Sequence, residues 1–236
     1  MTVSKHKPSI VFLCGLLCDE FVWQQIAESL SDVADTTIMN FQGYNSITAM
    51  AENVLALSPD KFALAGHSMG GRVVLESYRL APHRIDRITL LNTGVHPKRD
   101  SEIPGRQKLL DLAATKGMEA VADTWLPPMI GPQAQQNASL VQQLRQMVCR
   151  HSAGEFQGQI TALLNRPDAR QVLAHITVPA LLVSAEDDHW SPVSQHQSML
   201  ESIEHARHIK LSNTGHMSTV EAPLEISAAL REWLTW

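Results

Sequence analysis

Five residues, Gly66-His67-Ser68-Met69-Gly70, set one hydroxyl between two glycines where an apolar run ends and an amphipathic pattern begins. The spacing G-x-S-x-G between a strand and a helix is that of a nucleophile turn. Bulk beside the serine would meet the neighbouring elements, and the sharp corner leaves the hydroxyl exposed. At the start of the helix the Met69 amide can serve an oxyanion. A serine hydroxyl is a weak nucleophile until a base takes its proton. Of eleven histidines, His216 is the candidate base, because "NTGHMSTVEAP" is a loop between the last apolar run and the final helical pattern. The imidazole then needs a carboxylate to fix its tautomer and stabilise its charged form. "SAEDDHWSP" offers Glu186, Asp187 and Asp188, and counting from the end of the preceding strand favours Asp188, with Asp187 second. The first apolar run closes on Cys14-Gly15-Leu16, where Gly15 permits close backbone approach and the Leu16 amide can share an oxyanion with Met69. Cys14 has no visible base partner and reads as structural, and Trp23 reads as core.

These loops need a scaffold that presents them together. Apolar runs at 9–14, 36–40, 61–66, 87–94, 180–185 and 206–211 alternate with helical patterns at 21–30, 47–57, 70–80, 193–203 and 223–234. Unbroken apolar runs separated by helices indicate a mostly parallel sheet covered on both faces, an α/β fold class. In such sheets the working crevice lies at the carboxyl ends of the strands, where all the residues named above fall. Between His96 and Ala174 the strands stop and four helical stretches follow, punctuated by Pro127-Pro128, Pro132 and Pro167. The expected organisation is therefore a core of residues 1–95 and 175–236 with a helical cap, 96–174, inserted over one end of the sheet. Candidate substrate contacts are His96, Trp125 and Trp190. His67 is kept with them, although its place inside the elbow is expected to turn it from the cavity. Leu126, Met129, Ile130, Met147 and Phe156 are apolar cap residues of which some would line an acyl pocket.

The chain has 236 residues, 44% apolar and 18% charged, with a formal charge of −5. That balance argues against a nucleic-acid surface. Three cysteines without metal-ligand spacing make a cytoplasmic location the expectation. The N-terminal apolar stretch is too short to span a bilayer. No metal or organic cofactor is called for, and the expected partner is a small-molecule ester or lactone, with no nucleic acid and no membrane.

Together "GHSMGG", "SAEDDHWSP" and "TGHMSTVEAP" resemble the α/β-hydrolase superfamily of capped esterases and lactonases over nearly the whole chain. "GLLCDEFVW", "NRPDAR" and Ala81-Pro82 look like a bacterial branch of short hydrolases. The resemblance implies an α/β-hydrolase fold with Ser68, Asp188 and His216 as the triad in that family's chain order, Leu16 and Met69 amides as oxyanion donors, and hydrolysis of a small-to-medium ester or lactone. One departure is Cys14-Gly15 where many members have His-Gly. Starting close to the first parallel strand, the chain is also expected to lack the family's antiparallel edge strands. The same scaffold supports carbon–carbon bond hydrolysis, perhydrolysis, a menaquinone-pathway synthase, and non-catalytic ligand-binding homologues. Arg72 resembles a position that the synthase uses to hold an acidic substrate, but pairing with Glu76 or another acid is the expectation for an arginine on the elbow helix.

Overall fold

The computed structural model of the chain describes residues 7–236. Six strands form one parallel sheet: β1 (Ser9–Leu13), β2 (Asp35–Met39), β3 (Phe62–His67), β4 (Ile85–Leu91), β5 (Ala180–Ala185) and β6 (Ala206–Leu211), in the order β2-β1-β3-β4-β5-β6. No antiparallel strand occurs among the described residues. The unbroken apolar runs are the central strands: every residue of β3 and β5 is buried. At the edges, β2 and β6 are exposed or half-buried except for one buried residue at the end of each, as strands with one neighbour and thinner cover are.

Helices α1 (Phe21–Leu30), α2 (Ile47–Leu57) and α3 (Met69–Leu80) connect the first four strands. Between β4 and β5 the chain inserts α4 (Ile103–Trp125), α5 (Ala138–Cys149), α6 (Ala153–Leu164) and the short α7 (Arg170–Leu173). After β5 come α8 (Val193–Leu200), then, beyond β6, α9 (Ser218–Glu221) and α10 (Pro223–Trp233). Local chemistry sets these boundaries. Asn137 caps α5 by accepting from the Leu140 amide, and Ser152 with Glu155 forms a reciprocal capping box on α6. Within α4 the backbone breaks at Gly117 (φ 79°), a conformation open to glycine, so its two halves are separately helical. None of the helices among the described residues is long and apolar enough to cross a membrane.

The largest departures from the expected boundaries are in β4 and α8. β4 starts at Ile85 and ends at Leu91 rather than running from 87 to 94, because Asn92 turns the chain with a positive φ of 47°. Helix α8 ends at Leu200, three residues early. The strand order matters for the site. The chain moves outward from β1 to β2, then returns to place β3 on the other side of β1. At that reversal the loops after β1 and β3 diverge and leave a crevice, which brings the Gly15-Leu16 corner beside the Ser68 corner.

Candidate active site

Ser68 occupies the turn between β3 and α3 with φ 55° and ψ −115°, backbone values that a non-glycine residue adopts only under constraint. The constraint is visible: its amide donates to the Leu91 carbonyl (2.9 Å), and the Thr93 hydroxyl donates to its own carbonyl (2.7 Å). The flanking glycines are required by close approach. A Cβ on Gly66 would collide with the Gly70 carbonyl, and one on Gly70 with the Leu13 carbonyl.

The Ser68 hydroxyl donates to Nε2 of His216 (2.9 Å), and Nδ1–H of His216 donates to Oδ2 of Asp188 (2.8 Å). Both His216 and Asp188 are buried, at 5% and 2% exposure, so this chain of hydrogen bonds is shielded from bulk water. Asp188 is held from three further sides. Asn92 donates to Oδ2 (2.8 Å), while the Trp190 and Ser191 amides donate to Oδ1 (2.8 and 3.0 Å). Burial alone would raise its pKa, but the His216 ring and the Asn92 and Ser191 donors outweigh that and hold the carboxyl well below the usual range. Of the other acids in that loop, Glu186 pairs with Lys210, and Asp187 uses its backbone amide on Thr214.

His67 corrects an expectation. It is 1% exposed and does not line the cavity; its Nε2–H donates to the His216 carbonyl (2.7 Å). Burial, with the His216 ring beside it, pushes its pKa down to about 3, so it is a neutral support beneath the base loop rather than a substrate contact. The sequence also gave no sign of Gln159. From α6 its side chain accepts from the Leu17 amide (2.9 Å) and donates to the Phe41 carbonyl (3.2 Å), fixing the loop that carries Leu16. Leu17 there has a φ of 56°. Asn92 was equally unannounced; the only sequence hint is an asparagine, tolerant of positive φ, at the end of a strand. Cys14, Cys18 and Trp23 are fully buried, with Trp23 stacked on Phe12.

Over this corner lies a cavity of about 1040 Å³ whose lining includes Leu16, Ser68, Met69 and His216. His96, Trp125 and Trp190 line it as well, and Trp190 is half exposed at the mouth. Of the apolar cap residues expected at the pocket, Met129 joins Trp125 on the lining, together with Leu109, Ile160 and Leu163, whereas Leu126, Ile130, Met147 and Phe156 pack in the core. Neither the Leu16 nor the Met69 amide donates to another group among the described residues. Arg72 is a second correction. Glu76 is occupied by Arg79 and Thr48, and Arg72 lines the cavity instead, donating to the His96 carbonyl (2.9 Å). No cluster of three or more metal-ligating side chains occurs among the described residues.

Comparison with known proteins identifies the family of the fold. A family model described as "Alpha/beta hydrolase family" matches residues 10–229. The chain is 25% identical over 244 residues to a pimeloyl-[acyl-carrier protein] methyl ester esterase of Vibrio parahaemolyticus, covering 96% of this chain and 94% of that one. It is 25% identical over 247 residues to a 2-succinyl-6-hydroxy-2,4-cyclohexadiene-1-carboxylate synthase of Enterobacter sp., covering 96% and 92%. Among solved structures, the enol-lactonase of Burkholderia xenovorans LB400 superposes with a TM-score of 0.89 at 22% identity, over 99% of this chain and 94% of that one.

Proposed function

The chain belongs to the alpha/beta hydrolase family, and on that footing we propose that it is a serine hydrolase of small-to-medium carboxylic esters or lactones. The observation that carries this reading is the unbroken relay from the Ser68 hydroxyl through His216 to Asp188, with hydrogen bonds of 2.9 and 2.8 Å. A relative named as a methyl ester esterase and a neighbouring enol-lactonase fold support the choice of bond.

In this reading Ser68 Oγ attacks the scissile carbonyl while His216 Nε2 takes its proton, and Asp188 stabilises the imidazolium. The Leu16 and Met69 amides hold the oxyanion, each such donor contributing about 3 kcal/mol to the transition state. His216 returns the proton to the leaving oxygen as the ester C–O bond breaks. It then takes a proton from water, whose hydroxide adds to the acyl carbon; as the acyl–Oγ bond breaks, His216 passes that proton to Ser68 Oγ and the acid leaves. None of these steps calls for a metal or organic cofactor. The strained Ser68 backbone keeps the nucleophile aimed before substrate arrives.

The test is hydrolysis of p-nitrophenyl esters from acetate to decanoate by the purified protein and by Ser68→Ala. Labelling by a serine-directed phosphonate would be read by intact mass. Turnover lost in the variant, with one adduct on Ser68, is the expected result. Absence of both turnover and adduct in the unaltered protein would overturn the reading and favour a ligand-binding role.

A further inference from the structure

Thr93, in the turn beyond β4, is 2% exposed and is held at all three of its polar groups. Its hydroxyl donates to the Ser68 carbonyl (2.7 Å), its amide donates to Nε2 of His196 (3.2 Å), and its carbonyl accepts from Nε2 of Gln195 (2.8 Å). His196 and Gln195 are neighbours in the first turn of α8, which starts at Val193. Two adjacent side chains of one helix thus grip the backbone of Thr93 from both sides, and the Thr93 side chain reaches the nucleophile corner. The approach is close. A Cβ on Gly71 would lie 2.6–2.8 Å from Thr93 side-chain atoms, so the last glycine of "GHSMGG" makes room for this contact.

The Ser68 backbone, with φ 55°, is of a kind that persists only where its surroundings over-determine it. Its carbonyl has two donors, the Gly71 amide (3.1 Å) and the Thr93 hydroxyl (2.7 Å), and the shorter comes from outside the turn. The grip on Thr93 needs His196 neutral, with a bare Nε2. Its Nδ1–H points to the Pro192 carbonyl (3.4 Å), which selects that tautomer, and burial pushes its pKa down to about 4. The ring is fully buried and stacked on His208 of β6, with centroids 6.1 Å apart and 11° between planes. His208 Nε2 in turn shares a hydrogen bond with the Ser184 hydroxyl of β5 (2.8 Å), so α8 is anchored on both strands beneath it. The segment leading into α8 also carries the acid, since the Trp190 and Ser191 amides donate to Asp188 Oδ1. One helix therefore ties Asp188 to the Ser68 corner by a route that does not pass through His216.

We propose that His196 and Gln195 are positioning residues, which hold Ser68 in its attacking orientation through Thr93. Both act on the nucleophile's backbone rather than on the reacting atoms. The effect on turnover rests on the hydrolase reading above; the effect on the backbone of the corner does not.

A double-mutant cycle reads the coupling. His196→Phe keeps a buried ring and removes the acceptor, while Thr93→Val keeps the shape and removes the hydroxyl. On a p-nitrophenyl ester, His196→Phe is expected to lower kcat about tenfold with KM within about twofold. With Thr93→Val already present, the same change should cost about twofold or less, because the two residues act in series. His196→Gln, whose side-chain carbonyl can accept from the Thr93 amide, should recover most of the rate. Phosphonate labelling of Ser68 should slow in step with kcat. Amide exchange at Ser68 and Thr93, followed by NMR, should accelerate in His196→Phe and return in His196→Gln. Losses that simply add in the cycle, a raised KM with kcat unchanged, or unaltered exchange at Ser68 would overturn the clamp. If His196→Phe does not fold, Gln195→Met completes the cycle with Thr93→Val under the same criteria. Neither turnover nor adduct in the unaltered protein would sink the hydrolase reading, and exchange at Ser68 would then decide the clamp alone. Turnover indifferent to His196 would sink the clamp and keep the hydrolase.

Discussion

Asn92 donates to the same carboxylate oxygen of Asp188 that receives His216, each at 2.8 Å. The asparagine is itself oriented by Ser218, whose hydroxyl donates to its Oδ1 (2.5 Å). Residues from three separate loops thus fix one carboxylate. Asn92→Ala would leave the Ser218 hydroxyl unpaired and Asp188 freer to rotate. The expected cost is about 1–2 kcal/mol of stability and about tenfold in kcat/KM on a p-nitrophenyl ester. Denaturant melts and steady-state kinetics check both; unchanged kinetics would mean that the two backbone amides on Asp188 suffice.

Asp188 and Asp187 are adjacent in sequence but not in role. Asp188→Asn offers His216 an amide and the wrong tautomer, and is expected to lower kcat by about 10⁴-fold. Asp187→Asn alters a partly exposed side chain and should stay within about threefold of the unaltered protein. The reverse ranking would move the acid to Asp187.

Gln159 is fully buried and serves two backbone groups, the Leu17 amide and the Phe41 carbonyl. Gln159→Met fills the space but leaves both unpaired. Stability should fall by about 2–4 kcal/mol, at 1–2 for each group. Because Leu16 precedes the pinned residue, kcat should fall more than KM rises. A loss of stability without a loss in kcat would show that the loop does not need this tie.

In the cap, Arg166 grips both oxygens of Glu102, and the pair predicts a pH signature. Burial would raise the Glu102 pKa, but Arg166, the Arg99 backbone and Arg106 overcome this and bring it from 4.5 to about 2. A carboxyl depressed by folding stabilises the protein above its unfolded pKa, and that contribution is lost as pH falls through the folded value. Glu102→Gln should therefore melt below the unaltered protein at neutral pH. The gap should narrow between about pH 4.5 and 2, where the native carboxyl takes up its proton. Melting curves across that range decide it; a gap independent of pH would show that the pair contributes nothing through its charge.

The strands and the serine corner were legible because they leave local marks: unbroken apolar runs, glycines at fixed offsets, and a helix starting at once. Asp188 could be ranked above Asp187 by counting from the strand end. Asn92 and Gln159 were not legible, since each acts through a partner far along the chain, 96 residues from Asn92 to Asp188 and 142 from Leu17 to Gln159. Arg72 shows the limit of local rules. Glu76 lies four residues on, the spacing of a helical ion pair, yet Arg79 takes that glutamate from three residues away. The elbow histidine was ambiguous for a related reason: strand alternation says which face a side chain takes, not whether a loop has folded over it.

The Met129 carbonyl, in the cap, accepts from both the His216 and Met217 amides (2.9 and 3.2 Å), and Glu221 bridges the Gly131 and Gly215 amides beside it (2.9 and 2.8 Å). Roof and base loop are therefore stitched into a single seam. Any breathing that unzips this seam to admit a ligand also loosens the backbone on which His216 rides, so opening and loss of catalytic alignment become one event. Amide exchange at His216 and Met217 should then slow in step with Gly131 when a ligand fills the cavity, and independent rates would show a roof that moves without its keystone.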